Sequence, residues 1–229
     1  VEDLSAFLDA ITDWPNDFHG QHRKALPKGL RIRLSTESPA SPTAPEYQEA
    51  ATKVANLLEE LGGQVTPAPW LDIEIDEFLV LWKRLLANAP HLIESRLQPI
   101  TLWLRTAGKK IKKETATKTR IHLQQEVLEW FGDADLWVSP TMAIKPPKIG
   151  AWKHEDPETS FHKVLGMGVY TAAFNVSGQP AISIPMGFCR DGLPIGVQIA
   201  GRPGSDALLL QVAHAIEEAV GGFRVPFPR

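Results

Sequence analysis

One cysteine, Cys189, stands in 229 residues, so no internal disulfide framework holds this chain, and a reducing compartment, the cytoplasm, suits it. No apolar run approaches the ~20 residues of a membrane-spanning helix, which leaves no place for a membrane partner. Excess charge is also missing: the net charge is -3 and the pI about 6.2, so nothing favours a nucleic acid as partner. The sequence has no H-E-x-x-H, no C-x-x-C, no G-x-S-x-G and no Walker loop, which removes the common signatures of metal, hydrolase and nucleotide chemistry. No cofactor is implied. The opening lacks the basic stretch and short apolar core of a secretory signal. Its first residue is Val1 rather than Met, and "VEDLSAFLDAI" starts at once with helical periodicity, placing Val1, Leu4, Phe7, Leu8 and Ile11 on one face. The expectation is a chain that begins inside a fold.

What is present is the composition of a globular protein, 43% hydrophobic with a mean hydropathy of -0.14, at a length that suits one large domain or part of a bigger one. After the first helical stretch, "DWPNDFHGQHRKALPKG" reads as loop. Its His19 and His22 have metal-like spacing but no nearby partners, and read as solvated loop histidines. "LRIRLST" alternates as a half-buried strand. "PEYQEAATKVANLLEELGG" follows as a helix, with Pro45 at its start, glycines after its end and a stripe of Tyr47, Ala51, Val54, Leu57, Leu58 and Leu61. "QVTPAP" is the next strand, which makes a strand-helix-strand unit of parallel pairing. From Trp70 to about Arg120 the pattern is helical. The basic run "KKIKKETATKTR" within it lacks interleaved aromatics and reads as a solvated helix face. "RIHLQQEVLEWFGDA" is an amphipathic helix closed by Gly132, and "DLWVSPTM" a short apolar strand. "KPPKIGAWKHEDPETSFHK" reads as loop and "VLGMGVYTAAFNVSG" as one apolar helix. "PAISIPMGF" and "LPIGVQIAGR" are strands joined by a hairpin at "CRDG", where Gly192 tolerates positive φ. A last helix has Ser205 as its N-cap. Helices alternating with strands, plus one hairpin, give an α/β fold: a mixed sheet covered by helices on both faces.

Residue types alone supply no catalytic engine. Ser177, Ser139 and Ser183 have no base beside them in sequence. Cys189 precedes Arg190, which would lower its pKa, but it reads better as a lone buried cysteine. His214, midway along an apolar helix, reads as a core or edge histidine. Of the seven tryptophans, Trp70, Trp82, Trp103, Trp130, Trp137 and Trp152 fill a core under a helical lid for the most part, and some of Trp70, Trp82, Trp103 and Trp152 are candidates to line an apolar pocket.

The stretch "FNVSGQPAISIPMGF…DGLPIGVQIAGRPGSDALLL" resembles the C-terminal hallmark of the amidase signature enzymes, with its Asn-x-x-Gly-x-Pro-Ala-x-Ser turn-strand, its Gly-Leu-Pro-x-Gly-x-Gln hairpin and a Gly-Arg before the last helix. "VEDLSAFLDAI", the strand-helix-strand unit and "DADLWVSPT" resemble the family's segments in the same order. The resemblance implies the C-terminal half of that fold, residues 1-229 forming part of a single amidase domain with 70-165 as its variable lid and pocket region. It also implies hydrolysis of a carboxamide C–N bond by a Ser-cisSer-Lys relay, in which one serine attacks, the second shuttles its proton and a neutral lysine is the base. Those residues belong to the family's N-terminal half. This chain has no Gly-Ser-Ser-Gly-like loop, so no catalytic residue is assigned and the chain alone is expected to be inactive. The partners implied are the missing N-terminal half and a small-molecule amide, with a homodimer left open.

Pocket residues implied are Pro140, Thr141, Gly168, Tyr170 and Asn175. In the family's glutamine-using transamidation enzymes an acidic residue stands seven places before the matching asparagine. Here Gly168 stands there, which disfavours the amidase-like component of a glutamyl-tRNA amidotransferase. "DLWVSPTMAIKPPKIGAW" and the tail "FRVPFPR" look closest to bacterial amidases of the aryl-amide or 6-aminohexanoate cyclic dimer hydrolase type. A binding module that kept the fold without catalysis is the alternative from another class.

Overall fold

The computed structural model describes residues 1-12, 18, 20-72, 74-90 and 94-223. His19 and the tail 224-229 lie outside the described residues. Five strands, β1 (Arg31–Leu34), β2 (Gln64–Pro67), β3 (Leu136–Pro140), β4 (Ala181–Phe188) and β5 (Pro194–Gly201), form one sheet in the order β2-β1-β3-β5-β4. β1 runs parallel to β2 and β3, whereas β5 is antiparallel to β3 and β4. The sheet is therefore mixed, as the strand-helix-strand unit and the hairpin predict. Gly192 takes φ 81° in the hairpin, a conformation that a side chain rarely adopts.

β3 is the central strand, and all five of its residues are buried. Alternation sends Leu136 and Val138 to one face and Trp137 to the other. On the first face they join Ile32, Val197 and Ile199 under α2 (Pro45–Glu60) and α8 (Asp206–Ala219). On the second face, Trp137 and Ala200 join Val127, Phe131, Ala173 and Phe174 of α5 (Lys113–Phe131) and α7 (Ala172–Ser177). Helices thus cover both faces. α1 (Glu2–Ile11), α3 (Ile75–Asn88), α4 (Pro99–Gly108) and α6 (Pro157–Val164) complete the set among the described residues.

One end of the sheet is closed by charge. Arg31, the first residue of β1, reaches Asp135 at 3.0 Å and Asp133 at 3.1 Å; Arg33 binds Asp133 at 3.2 Å, and Arg202 stands 3.6 Å from Asp135. Hydrogen bonds from the two arginines hold both carboxyls below the usual carboxylate range.

Several expectations need correction. Pro45 starts α2 and Tyr47, Ala51, Val54 and Leu58 are buried, but Leu61, past the helix end, is exposed. In α1 the predicted apolar face turns outward: Leu4, Phe7 and Ile11 are exposed, at 38%, 58% and 61%. The inward side is carried by Ser5, whose hydroxyl donates to the Phe18 carbonyl. The stretch 145-163 is not all loop. Asp156 accepts a hydrogen bond from the Thr159 N–H at 2.9 Å and Pro157 takes the first helical position, so α6 starts there.

The stretch 164-178 is not one helix. It breaks into a 3₁₀ turn (Leu165–Met167) and α7, because the Gly166 carbonyl accepts from the N–H groups of Ala143 at 2.7 Å and Ile144 at 3.3 Å instead of continuing a helical ladder. Ser205 stands at the N-cap position of α8 but makes no capping bond; its hydroxyl donates backward to the Arg202 carbonyl at 2.7 Å. His22 is not solvated. It is 2% exposed, in a 3₁₀ turn (Gln21–Arg23), with its ring edge-on to His214 of α8 at 5.0 Å. The basic run lies partly before and partly within α5, and Lys110, Lys112, Lys113 and Lys118 are exposed as expected.

Candidate functional site

A cavity of about 300 Å³ opens at the sheet end opposite the charged cluster. It lies beyond the C-terminal ends of β1 and β2, between Ser38 and Ala40 on one loop, Trp70 and Leu71 on the next, and α3. This is the usual place for a ligand in an open α/β sheet. Ile75, Phe78 and Trp82 of α3 follow the i, i+3, i+7 spacing of one helix face and form one wall; Phe161, Leu165 and Met167 form another. Polar side chains come from Ser38, Thr171 and Asn175, and no charged side chain is among the described residues of the lining.

Hydrogen bonds anchor the main chain just before Trp70 to β3, to α5 and to the residue that follows β1. The Trp137 indole N–H on β3 donates to the Ser35 hydroxyl at 3.0 Å, and that hydroxyl donates to the Ala68 carbonyl at 2.7 Å. The Trp130 indole donates to the Pro69 carbonyl at 3.2 Å. The Trp70 ring then packs edge-on against Trp130 and Tyr170, each at 4.9 Å between centroids. Such packing fixes the ring at the cavity edge and leaves it little freedom to lose when a ligand arrives.

Of the five residues singled out from the sequence, Gly168 and Asn175 line the cavity. Gly168 closes the 3₁₀ turn at φ -125°, ψ 0°, and its carbonyl accepts from the N–H groups of Thr171 at 3.1 Å and Ala172 at 3.0 Å. A Cβ on Gly168 would meet only the Thr171 hydroxyl, at 3.9 Å, so the position has room for a side chain. Tyr170 lies behind the wall, wholly buried. Its hydroxyl is 2.6 Å from that of Thr43, and its carbonyl accepts from the Gln198 amide at 2.7 Å. Burial pushes the phenol up to about 12. Gln198, the glutamine of the hairpin motif, thus ties β5 to the cavity wall. Pro140 ends β3 in the core, and the Thr141 hydroxyl is 2.6 Å from that of Ser183; neither lines the cavity. Trp70 and Trp82 line it, whereas Trp103 packs on Phe161 with the Lys83 ammonium 5.0 Å above its ring. Phe78, Leu71 and Phe161 were not anticipated; the stripe on α3 was the one available signal.

Among the described residues no serine has a base in reach. The Ser177 hydroxyl donates to the Phe174 carbonyl and that of Ser139 to Pro140. Lys145 lies between Glu46 at 2.9 Å and Asp191 at 3.0 Å, which pushes its pKa up and keeps it charged. Burial pushes the Cys189 thiol up as well, so it stays protonated and unreactive.

The Amidase family profile matches residues 1-210 of the chain. The whole chain aligns with a protein named putative amidase AmiC in Mycobacterium tuberculosis, at 32% identity and across 52% of that protein's length. Among solved structures, that of 6-aminohexanoate cyclic dimer hydrolase superposes with a TM-score of 0.79 at 27% identity, covering 95% of this chain and 53% of the other. A bacterial aryl acylamidase of the amidase signature family gives 0.69 at 21% identity, over 91% and 47%, a likeness of fold. The chain belongs to the amidase family. It spans about half the length of the curated relatives it matches.

Proposed function

We propose that this chain is the C-terminal part of an amidase that hydrolyses the C–N bond of a neutral, apolar carboxamide. The observation that carries this reading is an aromatic, uncharged cavity at the strand ends of an amidase-family chain. The rest of the domain would bring the Ser-cisSer-Lys relay and its oxyanion hole to that cavity. The region 70-165 would act as lid and specificity wall, and the outward apolar face of α1 would pack against the missing half. Among the described residues no helix is long and apolar enough to cross a membrane, and a cytoplasmic location fits the single buried thiol.

A glutamine-dependent transamidase is the weaker reading. Gly168 offers no carboxylate to an ammonium group, and no described lining residue replaces it. Aryl and cyclic amides suit the walls better. Tyr170, Pro140 and Thr141 would then shape the pocket from behind, leaving contact with substrate to Gly168 and Asn175.

The deciding measurement is the intact mass of the native protein together with amide hydrolysis by the same preparation. Amidase activity from a species near twice 25.3 kDa, or from a complex with a second chain, is expected. A lone, folded 25.3 kDa protein without activity would move the assignment to a non-catalytic relative. In the complete enzyme Gly168→Leu should raise KM for bulky anilides about tenfold or more, the loss of roughly 1.4 kcal/mol of binding, and leave small aliphatic amides nearly unchanged. An equal effect on both substrates, at unchanged Tm, would place the substrate elsewhere.

A further inference from the structure

We propose that Glu77, His122 and Glu126 form a binding site for a divalent transition-metal ion, with Zn²⁺ the best match, that clamps α3 onto α5. One ligand atom from each of the three side chains lies within 4.8 Å of the other two. His122 and Glu126 are one turn apart on α5, with imidazole Nε2 3.5 Å from a Glu126 carboxylate oxygen. That spacing puts both donors on one helix face. Glu77 approaches from the first turn of α3.

Two features favour a cation here over a simple exposed ion pair. The carboxylates of Glu77 and Glu126 face each other at short range, and among the described residues no lysine or arginine pairs with either. Like charges so placed repel, and a cation between them turns the repulsion into attraction. The third donor is an imidazole, which a borderline ion such as Zn²⁺ accepts and which Mg²⁺ or Ca²⁺, seeking oxygen, does not favour. Three protein donors leave a coordination position for water. The consequence reaches the cavity without depending on what the cavity binds: Glu77 lies between Ile75 and Phe78, both on the cavity wall, so the bound ion would pin the wall helix to the scaffold.

Isothermal titration of the metal-stripped chain with ZnCl₂ tests the proposal. A single saturable site is expected, with a Tm that rises with ZnCl₂ and not with MgCl₂. His122→Ala and Glu77→Gln should each weaken binding about tenfold or more. The Glu77 variant keeps every histidine, so it separates this site from adventitious binding at His154 or His162. Co²⁺ should give visible d–d absorption that both variants lose. No saturable Zn²⁺ binding, or binding in either variant as tight as in the unsubstituted chain, would overturn the proposal.

Discussion

Replacing Gly108 with alanine should unseat α4 from α3 and lower the stability of the chain by about 2 kcal/mol or more, the cost of forcing an extra methyl into a closed contact. A Cβ on Gly108 would lie 1.9 Å from the Lys83 carbonyl oxygen, 2.4 Å from its carbon and 3.1 Å from the Ala87 methyl. The nearest obstacle is main chain and cannot rotate away, so one helix must shift. Alanine's helix advantage of ~1 kcal/mol over glycine does not cancel this.

The contact is reinforced one turn earlier. Arg105 donates to the carbonyls of Leu86 at 2.8 Å and Ala89 at 2.9 Å, satisfying groups that the end of α3 leaves open, and to Glu94 at 2.8 Å. Hydrogen bonds from Lys109 and Arg105 hold the Glu94 carboxyl down at about 2. Because α3 carries Phe78 and Trp82, the variant should lose ligand affinity along with stability. Urea unfolding followed by tryptophan fluorescence checks the first. A wild-type midpoint would mean that the two helices are not in this contact.

Acid should destabilise the fold well before the carboxylates titrate, because of His22. Both its ring nitrogens are buried and, among the described residues, have no hydrogen-bond partner. Burial, then His214, then Arg23 push its pKa below the ordinary 6.5, with Glu2 acting weakly the other way. On the far side, His214 faces Glu217 at 3.8 Å and Glu218 at 3.7 Å. The unfolded chain takes up a proton near pH 6.5 that the folded chain refuses. Stability from this group is therefore complete above about pH 6.5 and is lost as pH falls from there to the lowered native value.

The carboxyls of Glu46, Asp133, Asp135 and Asp156 are also depressed, but theirs is a separate loss, beginning only as pH falls through the carboxylate range. Thermal melts from about pH 8 down to about pH 3 should show Tm falling below about pH 6.5, and His22→Phe should abolish that limb while keeping the lower one. An unchanged profile in the variant would put the acid sensitivity on another group.

The sheet was readable from the sequence because its signals are local. β1, α2 and β2 announce themselves by alternation, by Pro45 and by terminal glycines, and the β4-β5 hairpin by "CRDG". What escaped depends on contacts across the chain. His22 looks like a loop residue until α8 closes over it, and Tyr170 looks like a pocket residue until Thr43, 127 positions away, binds its hydroxyl from behind. The break before α7 is set by Gly166 meeting Ala143 and Ile144, which no window of local sequence contains. The pocket was half legible: Trp70 and Trp82 stood out as large apolar residues in a helical region, whereas Trp103, equally conspicuous, packs on Phe161, and Trp152 is not in the described lining.

The arginine–aspartate cluster at the starts of β1 and β3 divides the molecule's tolerance for change. At that end, side chains from strands far apart in sequence depend on one another, so a single replacement at Arg31 or Asp135 strands its charged partners. At the opposite end the described cavity lining carries no charged side chain, so a replacement at Gly168, Phe78 or Trp82 leaves no ion-pair partner stranded. On the proposed reading, a lineage exploring new amides could rewrite Gly168, Phe78 or Trp82 repeatedly while the charged end holds the strands in register, and selection experiments on the complete protein should accumulate their changes accordingly.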